Sequence, residues 1–337
     1  MAHRATIQDL ARQAGVSVST IDRILNGRAK VRAATAEKVL NCAEALGFYA
    51  LPTLRERLQP TKPTVRLGFL LQQSQRNFYR RIAEALRAAT PPQVELVIEF
   101  MDDLAPEAVA ANALRMGRQV QALALVSAEH ARISHALEVL SAEGCRSYGL
   151  ISELSASCGV GYVGLDNWKA GRTAAWAITR LARRPGKIAI LVGNHRYRCQ
   201  ESNESGFLSY CREHASDFTL LQPLQTFENS AIARDVTQQL LASEPDLMGL
   251  YVAGGGMPGV LEALHDAGRA RGIITVGHEM TEHTRLGLID GSLSLVVAHP
   301  VTRMAEDAIS LMTADLRLGA APSKRVIGFD IHTPESI

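Results

Sequence analysis

From Val65 onward, short apolar runs alternate with amphipathic segments, and this pattern limits the possible folds more than any other feature of the sequence. The ten runs cover residues 65–71, 94–100, 122–127, 146–151, 160–165, 187–193, 247–254, 272–277, 293–298 and 326–331. Strands that are apolar throughout and separated by helices form parallel sheets with helices on each side. Ten of them predict two parallel, doubly wound sheets, and hence two lobes with a cleft between them.

The first fifty residues have a different pattern, which predicts three short helices. Thr6 with Asp9 forms a capping box for the first helix, and Ser17 caps the second. Asn26-Gly27 supplies left-handed residues that end the second helix, and Gly47 ends the third. The apolar stripes are Ile7, Leu10, Ala11 and Ala14, then Val18, Ile21, Ile24 and Leu25, then Ala36, Val39, Leu40, Ala43 and Leu46.

The spacing between the first two helices is typical of a helix-turn-helix. Ala11 is small where the helices cross, Gly15 suits a turn too tight for a Cβ, and Ile21 lies beneath the second helix. Such a second helix enters the major groove with its polar side chains toward the base edges. The alternative is a plain helical domain that packs on the rest of the chain or binds a protein.

Charge and composition narrow the class of protein. Residues 1–64 hold ten Lys/Arg against five Asp/Glu, leaving 26 against 29 for the rest, so the positive charge lies where DNA would bind. The five scattered cysteines contain no C-x-x-C, so we expect neither a disulfide framework nor a metal site, and no cofactor. No apolar stretch spans a membrane and no secretory signal precedes the helices, which predicts a cytoplasmic protein without a membrane partner.

The run from Ala11 to Gly27 has the form A-x-x-A-G-V-S-x-x-T-x-x-R-x-L-N-G and resembles the start of lactose-repressor (LacI/GalR) family regulators. The resemblance implies that some side chains face bases, namely Val18, Ser19 and Arg23, and that others lie near phosphates, namely Thr6, Ser17, Asn26, Lys30 and Thr35. It implies a repressor that binds a pseudo-palindromic double-stranded DNA operator as a homodimer. The chain ends without a leucine heptad, which favours a dimer over a tetramer.

Asp22 departs from that family, which usually has a serine before the reading arginine. A carboxylate on a recognition helix is repelled by phosphate, so we assign Asp22 to the DNA-binding set with two open roles. It could accept a hydrogen bond from a cytosine N4, or it could orient Arg23 or Arg28. Arg32 also stands at the usual serine cap of the third helix.

Residues 51–64 form the predicted linker between the DNA-binding domain, residues 1–50, and the effector-binding domain, residues 65–337. In the family such a segment folds into a hinge helix with a leucine in the minor groove, and Leu54 and Leu58 both qualify; we assign Leu58. Charged residues at 55–57 stand where the family prefers small or uncharged ones, so a solvated tether is the alternative.

The effector-binding domain resembles the periplasmic sugar-binding-protein fold, as the sensor half of the lactose-repressor family does. The similarity implies an N-lobe of about 65–165 and 299–328, a C-lobe of about 166–298 and 329–337, and a ligand held between them at the carboxyl ends of the strands. The predicted effector-binding residues are Gln73, Gln75, Phe78, Tyr79, Glu153, Asp166, Glu201, Phe227, Glu279 and His299.

The ligand class is inferred from four carboxylates in that set, Glu153, Asp166, Glu201 and Glu279, which favour a neutral sugar or polyol, or a cation, over an acid. Sugar-binding relatives often place an Arg at the position of Glu201 and an Asn-Asp pair where this chain has three glycines. Phe78 and Tyr79 have an alternative role in the core, and the alternative for His299, which precedes Pro300, is that it begins a helix.

A nucleotide-dependent α/β enzyme is the main competing hypothesis, because G-x-G-x-x-G occurs at Gly159–Gly164 and at Gly254–Gly259. The second copy lies between a strand and a helix, as a dinucleotide site requires, but it comes late in the chain and has Pro258 before its last glycine. No Walker motif, H-E-x-x-H or nucleophile elbow occurs, so we predict a regulator and not an enzyme. A secreted solute-binding protein is disfavoured by the helix-turn-helix.

Overall fold

The computed structural model describes residues 5–28, 31–58 and 65–337, and the chain divides into two compact units. The first comprises Met1–Val65 with Pro91–Glu95, and the second comprises Arg66–Thr90 with Leu96–Ile337. We call the helices up to Leu58 the helical domain, and the sheets and helices from Val65 onward the α/β domain. Each is described by itself.

The described part of the helical domain contains the helices α1 (Ile7–Ala14), α2 (Val18–Leu25), α3 (Ala33–Ala45) and α4 (Leu51–Leu58). The capping box of Thr6 and Asp9 is present, and the Ser17 side chain accepts a hydrogen bond from the Thr20 amide at 3.1 Å. The predicted starts of α1 and α2 are therefore confirmed. The prediction of two left-handed residues after α2 is wrong, since Gly27 has φ 67° but Asn26 has φ −86°.

The core of the helical domain combines the predicted apolar stripes with side chains from α4. Its buried members are Leu10, Ala11, Ala14, Ile21, Ile24, Ala36, Val39, Leu40, Ala43, Phe48, Leu54 and Leu58. Val18, which shares the predicted stripe of α2, is instead 46% exposed. The fourth helix therefore packs on the other three, because Leu54 and Leu58 at i and i+4 point to the same side.

The α/β domain alternates strands and helices. Its strands are β1 (Val65–Gln72), β2 (Val94–Met101), β3 (Ala122–Leu125), β4 (Arg146–Leu150), β5 (Gly161–Leu165), β6 (Lys187–Val192), β7 (Thr219–Leu220), β8 (Leu224–Gln225), β9 (Leu247–Val252), β10 (Ile274–His278), β11 (Leu295–Ala298), β12 (Lys324–Ile327) and β13 (Asp330–His332). Its helices are α5 (Asn77–Ala89), α6 (Pro106–Gly117), α7 (Ala131–Ala142), α8 (Asn167–Leu181), α9 (Arg198–His214), α10 (Ser230–Ser243), α11 (Met257–Asp266), α12 (Glu282–Asp290) and α13 (Val301–Leu318), followed by a 3₁₀ turn at Pro334–Ser336.

Two sheets result, and they confirm the predicted fold class. The first has the strand order β12-β5-β4-β3-β1-β2, and the second has the order β13-β11-β10-β9-β6-β7, with β8 also pairing with β6. The pairs around β3, β4, β5, β9 and β10 are parallel, and β13 is antiparallel to β11. The tenth apolar run is not one strand, because β12 lies in the first sheet and β13 in the second.

The two sheets define two lobes that share one cleft. The chain passes from the first lobe to the second after β5, returns after β11 when α13 packs against α5, and passes over again between β12 and β13. Strands β1, β3, β6 and β9 are almost fully buried, as their apolar runs predict. Across the described part of the chain, no helix is both long and apolar enough to cross a membrane.

Candidate functional site

The exposed face of α2 carries most of the residues predicted to contact DNA. Ile21 and Ile24 are 0% and 1% exposed and mark the buried side of α2. The residues on the opposite side of the helix therefore face outward. The exposed set is Ser17, Val18, Ser19, Asp22, Arg23 and Asn26. Side chains one turn apart lie side by side on a helix, so these residues form one continuous surface.

Asp22 is engaged with the end of its own helix. The Asn26 side-chain nitrogen donates to the Asp22 Oδ1 at 3.2 Å and to the Asp22 carbonyl at 3.0 Å. No hydrogen bond or ion pair joins Asp22 to Arg23 or Arg28 in the described residues. The role of orienting Arg23 or Arg28, one of the two left open by the sequence, is therefore not seen. Oδ2 of Asp22 is free to accept a hydrogen bond from a DNA base.

The remaining predicted DNA contacts have different surroundings. The hydroxyl of exposed Thr6 donates to the Asp9 carboxylate at 2.6 Å, and Thr35 is half-buried near the start of α3. Lys30 lies outside the described residues. Leu58 is 8% exposed and packs in the core of the helical domain, so in this conformation it does not point outward as a minor-groove wedge would.

A cavity of about 510 Å³ lies between the two lobes of the α/β domain. Its walls come from the loops and helix starts that follow β1, β4, β5, β6, β8, β9, β10 and β11. These positions are the carboxyl ends of parallel strands, where α/β proteins commonly bind ligands. The cavity is therefore the candidate effector site, and we call it the cleft.

One ion pair crosses the cleft. The Arg76 guanidinium, at the end of the β1–α5 loop, lies 3.2 Å from the Glu228 Oε2 and donates to the Glu228 carbonyl at 2.9 Å. Glu228 Oε1 accepts hydrogen bonds from the Gln200 side chain at 2.6 Å and from the Gly255 amide at 3.1 Å. The Glu228 carboxylate thus joins the first lobe to the start of α9 and to two loops of the second lobe.

A second connection between the lobes is centred on buried Gln72 at the end of β1. Its side-chain nitrogen donates to the Tyr197 hydroxyl at 2.7 Å, and its oxygen accepts from the Tyr79 hydroxyl at 3.0 Å. Burial raises the pKa of Tyr197 to about 12, and burial likewise raises the pKa of Tyr79. Both phenols therefore stay protonated; the Tyr79 hydroxyl donates to Gln72, and the Tyr197 hydroxyl accepts from it.

Histidines line the opposite wall of the cleft. Nδ1 of His299 lies 2.5 Å from the Glu279 Oε1, and the His299 amide donates to Oε2 at 3.2 Å. Burial raises the pKa of Glu279, but the neighbouring His299 and His278 lower it by more, so Glu279 is ionised. His278 lies 2.7 Å from the Tyr251 hydroxyl, and burial lowers its pKa to about 4.

Two buried polar atoms of residues that line the cleft lack a hydrogen-bond partner in the described part of the chain. They are Oδ1 of Asn203, a residue 3% exposed, and Nε2 of His299, whose side chain is 4% exposed. A buried polar atom without a partner costs free energy, roughly 1–3 kcal/mol. Both residues line the cleft, so these two atoms are candidate contacts for a ligand with hydroxyl groups.

The structure brings half of the predicted effector residues to the cleft. Those that line it are Gln75, Phe78, Tyr79, Glu279 and His299. Gln73 is not among its lining residues, and Phe227 is 61% exposed and points elsewhere. Glu153, Asp166 and Glu201 line a separate hollow of about 500 Å³ beside Trp168.

Three of the four carboxylates predicted for the ligand site do not line the cleft. Of the four predicted carboxylates only Glu279 lines the cleft. Glu153 pairs with Lys324 at 2.7 Å, and Asp166 caps α8 by accepting from the Lys169 amide at 3.0 Å. The cleft is instead lined by both signs of charge, since Arg76 and Arg80 accompany its glutamates.

Comparisons with known proteins agree with both halves of this description. A family model described as periplasmic binding protein domain matches residues 67–320, and one described as bacterial regulatory proteins, lacI family, matches residues 6–50. The chain belongs to the periplasmic binding protein domain family and carries a lacI-family regulatory domain at residues 6–50. Among its relatives, the HTH-type transcriptional regulator GntR of Pseudomonas aeruginosa is 26% identical over 99% of this chain and 96% of its own length.

Two further similarities each cover part of the regulator. Catabolite control protein A of Priestia megaterium is 28% identical over 36% of this chain and 36% of its own length. A periplasmic solute-binding protein of an ABC transporter from Actinobacillus succinogenes, with bound D-allose, superimposes with a TM-score of 0.73 at 18% identity. That match covers 82% of this chain and 99% of that chain, and it shows the fold.

Sequence reasoning missed several residues that line the regulator's cleft, among them Arg76, Gln200, Asn203, Glu228 and His278. A usable signal existed on α9. Phe207 and Cys211 are buried, and Gln200 and Asn203 precede them at helical spacing, so the same phase points them inward. Glu201, chosen from the sequence, lies one position out of phase and is exposed.

The glycine-rich loop at Gly254–Gly259 does not resemble a phosphate cradle in this regulator. A Cβ at Gly254 would lie 2.5 Å from the Gln200 Oε1, and one at Gly255 would lie 2.1 Å from the Glu228 Oε2. These glycines make room for the cleft's own side chains. A carboxylate at a loop amide repels an anion, so the geometry does not favour the enzyme hypothesis. The first copy, at Gly159–Gly164, runs into β5.

Proposed function

We propose that this regulator binds a pseudo-palindromic DNA operator as a homodimer and that a neutral sugar or polyol in the cleft changes its operator affinity. The continuous exposed face of α2 carries the DNA-binding part of the proposal. Ser19, Asp22 and Arg23 present a hydroxyl, a carboxylate and a guanidinium, the groups that read base edges in the major groove. One such helix reads a short half-site, so two-fold pairing supplies both affinity and specificity.

The two unpartnered atoms in the cleft carry the effector part of the proposal. Asn203 Oδ1 accepts hydrogen bonds only, and His299 has its Nδ1 held by Glu279 and its Nε2 without a partner in the described residues. Both residues line the cavity. Hydroxyl groups can both donate and accept, so a polyol matches both atoms. The D-allose bound to a solute-binding protein of the same fold supports this class of ligand.

Ligand control follows from the position of the cleft. Side chains from both lobes line the cavity, including Tyr79 of the first and Asn203 of the second. A ligand that contacts both lobes stabilises one arrangement of them over another, and any DNA affinity that differs between those arrangements changes by the same free energy. We propose repression of transcription in the cytoplasm, with no catalytic step.

The test combines DNA selection with a ligand screen. Duplexes are enriched from a random-sequence pool by the full chain, and thermal shift is measured with a panel of neutral sugars and polyols. The proposal expects a two-fold symmetric consensus, a sugar or polyol that raises the melting temperature, and an operator affinity that this compound changes. Failure to enrich any sequence would refute the DNA-binding part, and an unchanged operator affinity at saturating ligand would refute the control.

A further inference from the structure

Glu228 lies in the loop between β8 and α10, and the backbone of that loop directs its side chain into the cleft. Phe227 and Glu228 have φ 49° and 59°, left-handed values that residues with a Cβ rarely adopt. Both ends of the loop are anchored, because the Thr226 hydroxyl donates to the Gly255 carbonyl at 2.8 Å and the Asn229 side chain caps α10. The loop therefore fixes the position of the Glu228 carboxylate.

Three kinds of hydrogen-bond donor converge on this carboxylate. The Arg76 guanidinium comes from the first lobe, whereas the Gln200 side chain and the Gly255 amide come from the second. The Gln200 side chain is oriented for the contact, since its Oε1 accepts from two successive backbone amides at 2.8 and 3.0 Å and its nitrogen is thereby turned toward Glu228. A guanidinium with two amides is a donor set that binds a carboxylate.

The backbone around the carboxylate leaves room for it and for little else. A Cβ at Gly193 would lie 1.8 Å from the Glu228 Oε1, and one at Gly255 would lie 2.1 Å from Oε2. A larger residue at either position would therefore displace the carboxylate. The second lobe thus contains a fitted place for one carboxylate, which Arg76 closes from the first lobe. We call this place, with its three donors, the carboxylate subsite.

We propose that Glu228 makes the cleft select neutral ligands over acidic ones, because it fills the carboxylate subsite with the protein's own side chain. The donors that would bind a ligand's carboxylate or phosphate are already used, and Glu228 repels a second anion beside it. The hydroxyl groups of a sugar or polyol carry no charge and are not repelled. The inference rests on the proposed binding of a neutral ligand in the cleft and names the residue that determines it. The competing explanation is that Glu228 only joins the lobes.

The first experiment empties the carboxylate subsite and refills it, using the full chain. Glu228→Gly removes the side chain and suits the φ of 59°, and propionate has the same carbon and oxygen atoms as the deleted side chain. We expect propionate to raise the melting temperature of Glu228→Gly by about 2–4 °C more than chloride does at equal ionic strength. Wild type should show no such difference, because Glu228 already fills the subsite.

Two further variants control this measurement. Glu282→Gly is the matched control, since Glu282 lines the same cleft, is exposed and forms no hydrogen bond or ion pair in the described residues. It should show no propionate-specific rise. Adding Arg76→Ala to Glu228→Gly should reduce the rise, because the guanidinium is one of the donors. Absence of a rise in Glu228→Gly would overturn the subsite, and so would a rise that Arg76→Ala leaves unchanged.

The second experiment separates ligand selection from a role in joining the lobes. Glu228→Gln keeps the size of the side chain without its charge. Wild type and this variant are titrated with the sugar or polyol found in the ligand screen and with the acid that has a carboxylate in place of its terminal hydroxymethyl group. We expect the preference for the neutral compound to fall about tenfold in Glu228→Gln.

An unchanged preference in a folded Glu228→Gln would overturn the selective role and leave Glu228 with lobe joining alone. The propionate measurement uses no effector, so it decides the carboxylate subsite even if no sugar or polyol binds and the proposed ligand class fails. The failure of the inference is therefore distinguishable from the failure of the proposed function.

Discussion

The exposed face of α2 and the cleft are built in different ways. The exposed face of α2 comes from one eight-residue helix, whose buried Ile21 and Ile24 decide which side chains face outward. The cleft draws on eight loops between residues 75 and 299, and several of them contain left-handed residues that are not glycine. Phe227 and Glu228, with φ 49° and 59°, are adjacent, yet one is exposed and the other lines the cleft. Periodicity therefore orients a helix face, whereas loop conformation decides a cleft.

The helical domain and the α/β domain should also unfold separately. The substitution with the largest expected effect tests this. Ile21→Ala removes a fully buried side chain from the helical domain and should cost about 2–5 kcal/mol. This loss exceeds the free energy of unfolding expected for so small a domain. The amides of the helical domain should therefore exchange freely, and operator binding should vanish. The sugar-induced thermal shift of the α/β domain should persist.

Val18→Ala is the matched control for this change, since Val18 lies on the same helix but is 46% exposed. It should leave amide exchange of the helical domain near wild type. Loss of the sugar-induced shift in Ile21→Ala would show that the two regions unfold together.

A pH experiment addresses the cleft. The pKa of His278 is lowered by burial to about 4, whereas an unfolded histidine titrates near 6.5. Between these values the unfolded chain binds more protons, so the stability of the α/β domain should fall by up to about 3 kcal/mol as pH drops from 6.5 to 4. Chemical denaturation across this range measures the loss.

His278→Gln should flatten the pH dependence over that window, whereas His135→Gln, at a side chain that is 77% exposed, should leave it unchanged. Glu279 adds a loss only at lower pH, because its pKa is lowered and its stabilisation disappears as the carboxylate is protonated. An unaltered slope in His278→Gln would mean that His278 is not the group responsible.

Arg23 tests the claim that helix periodicity identifies a base-reading side chain. Arg23→Ala should weaken operator binding by roughly 1–3 kcal/mol and relax the consensus at one position of each half-site. Selection from a random pool, repeated with the variant, measures both effects. Uniform weakening with an unchanged consensus would make Arg23 a phosphate contact, and Arg55→Ala provides the charge control.

The sequence predicted the parts of the fold that have a long apolar pattern and missed those that lack one. Apolar runs long enough to fill a strand predicted ten strand positions, but β7 and β8 have two residues each and carry no such signal. The apolar pattern of the run at 326–331 does not show its split between two sheets, because Gly328 and Phe329 differ little from strand residues. Only the resemblance implied the split, through a lobe boundary between residues 328 and 329. In the linker, the spacing of Leu54 and Leu58 predicted a helix face but not the surface that it contacts.

For the cleft, the sequence predicted which strand ends meet but not which side chain at each end turns inward. Gln75, Phe78 and Tyr79 line the cleft because α5 begins there, while Glu153 and Asp166 are taken up by Lys324 and by the cap of α8. Such local partners are decided by three-dimensional packing. A carboxylate's position along the chain therefore says little about whether a ligand can reach it.

The smallest predicted effect asks whether an unpartnered atom marks a ligand contact. Asn203→Leu removes the orphaned Oδ1, so the free protein should be no less stable, while affinity for the sugar or polyol should fall by about 1 kcal/mol, the net value of one hydrogen bond. Thr313→Val is the matched control, because Thr313 on α13 is buried, has an equally unpartnered hydroxyl and does not line the cleft. Calorimetric titration of both variants compares them directly. Equal ligand affinity in the two variants would show that Asn203 Oδ1 does not contact the ligand. The ligand contacts in the cleft would then come from Arg76, Glu228 and His299.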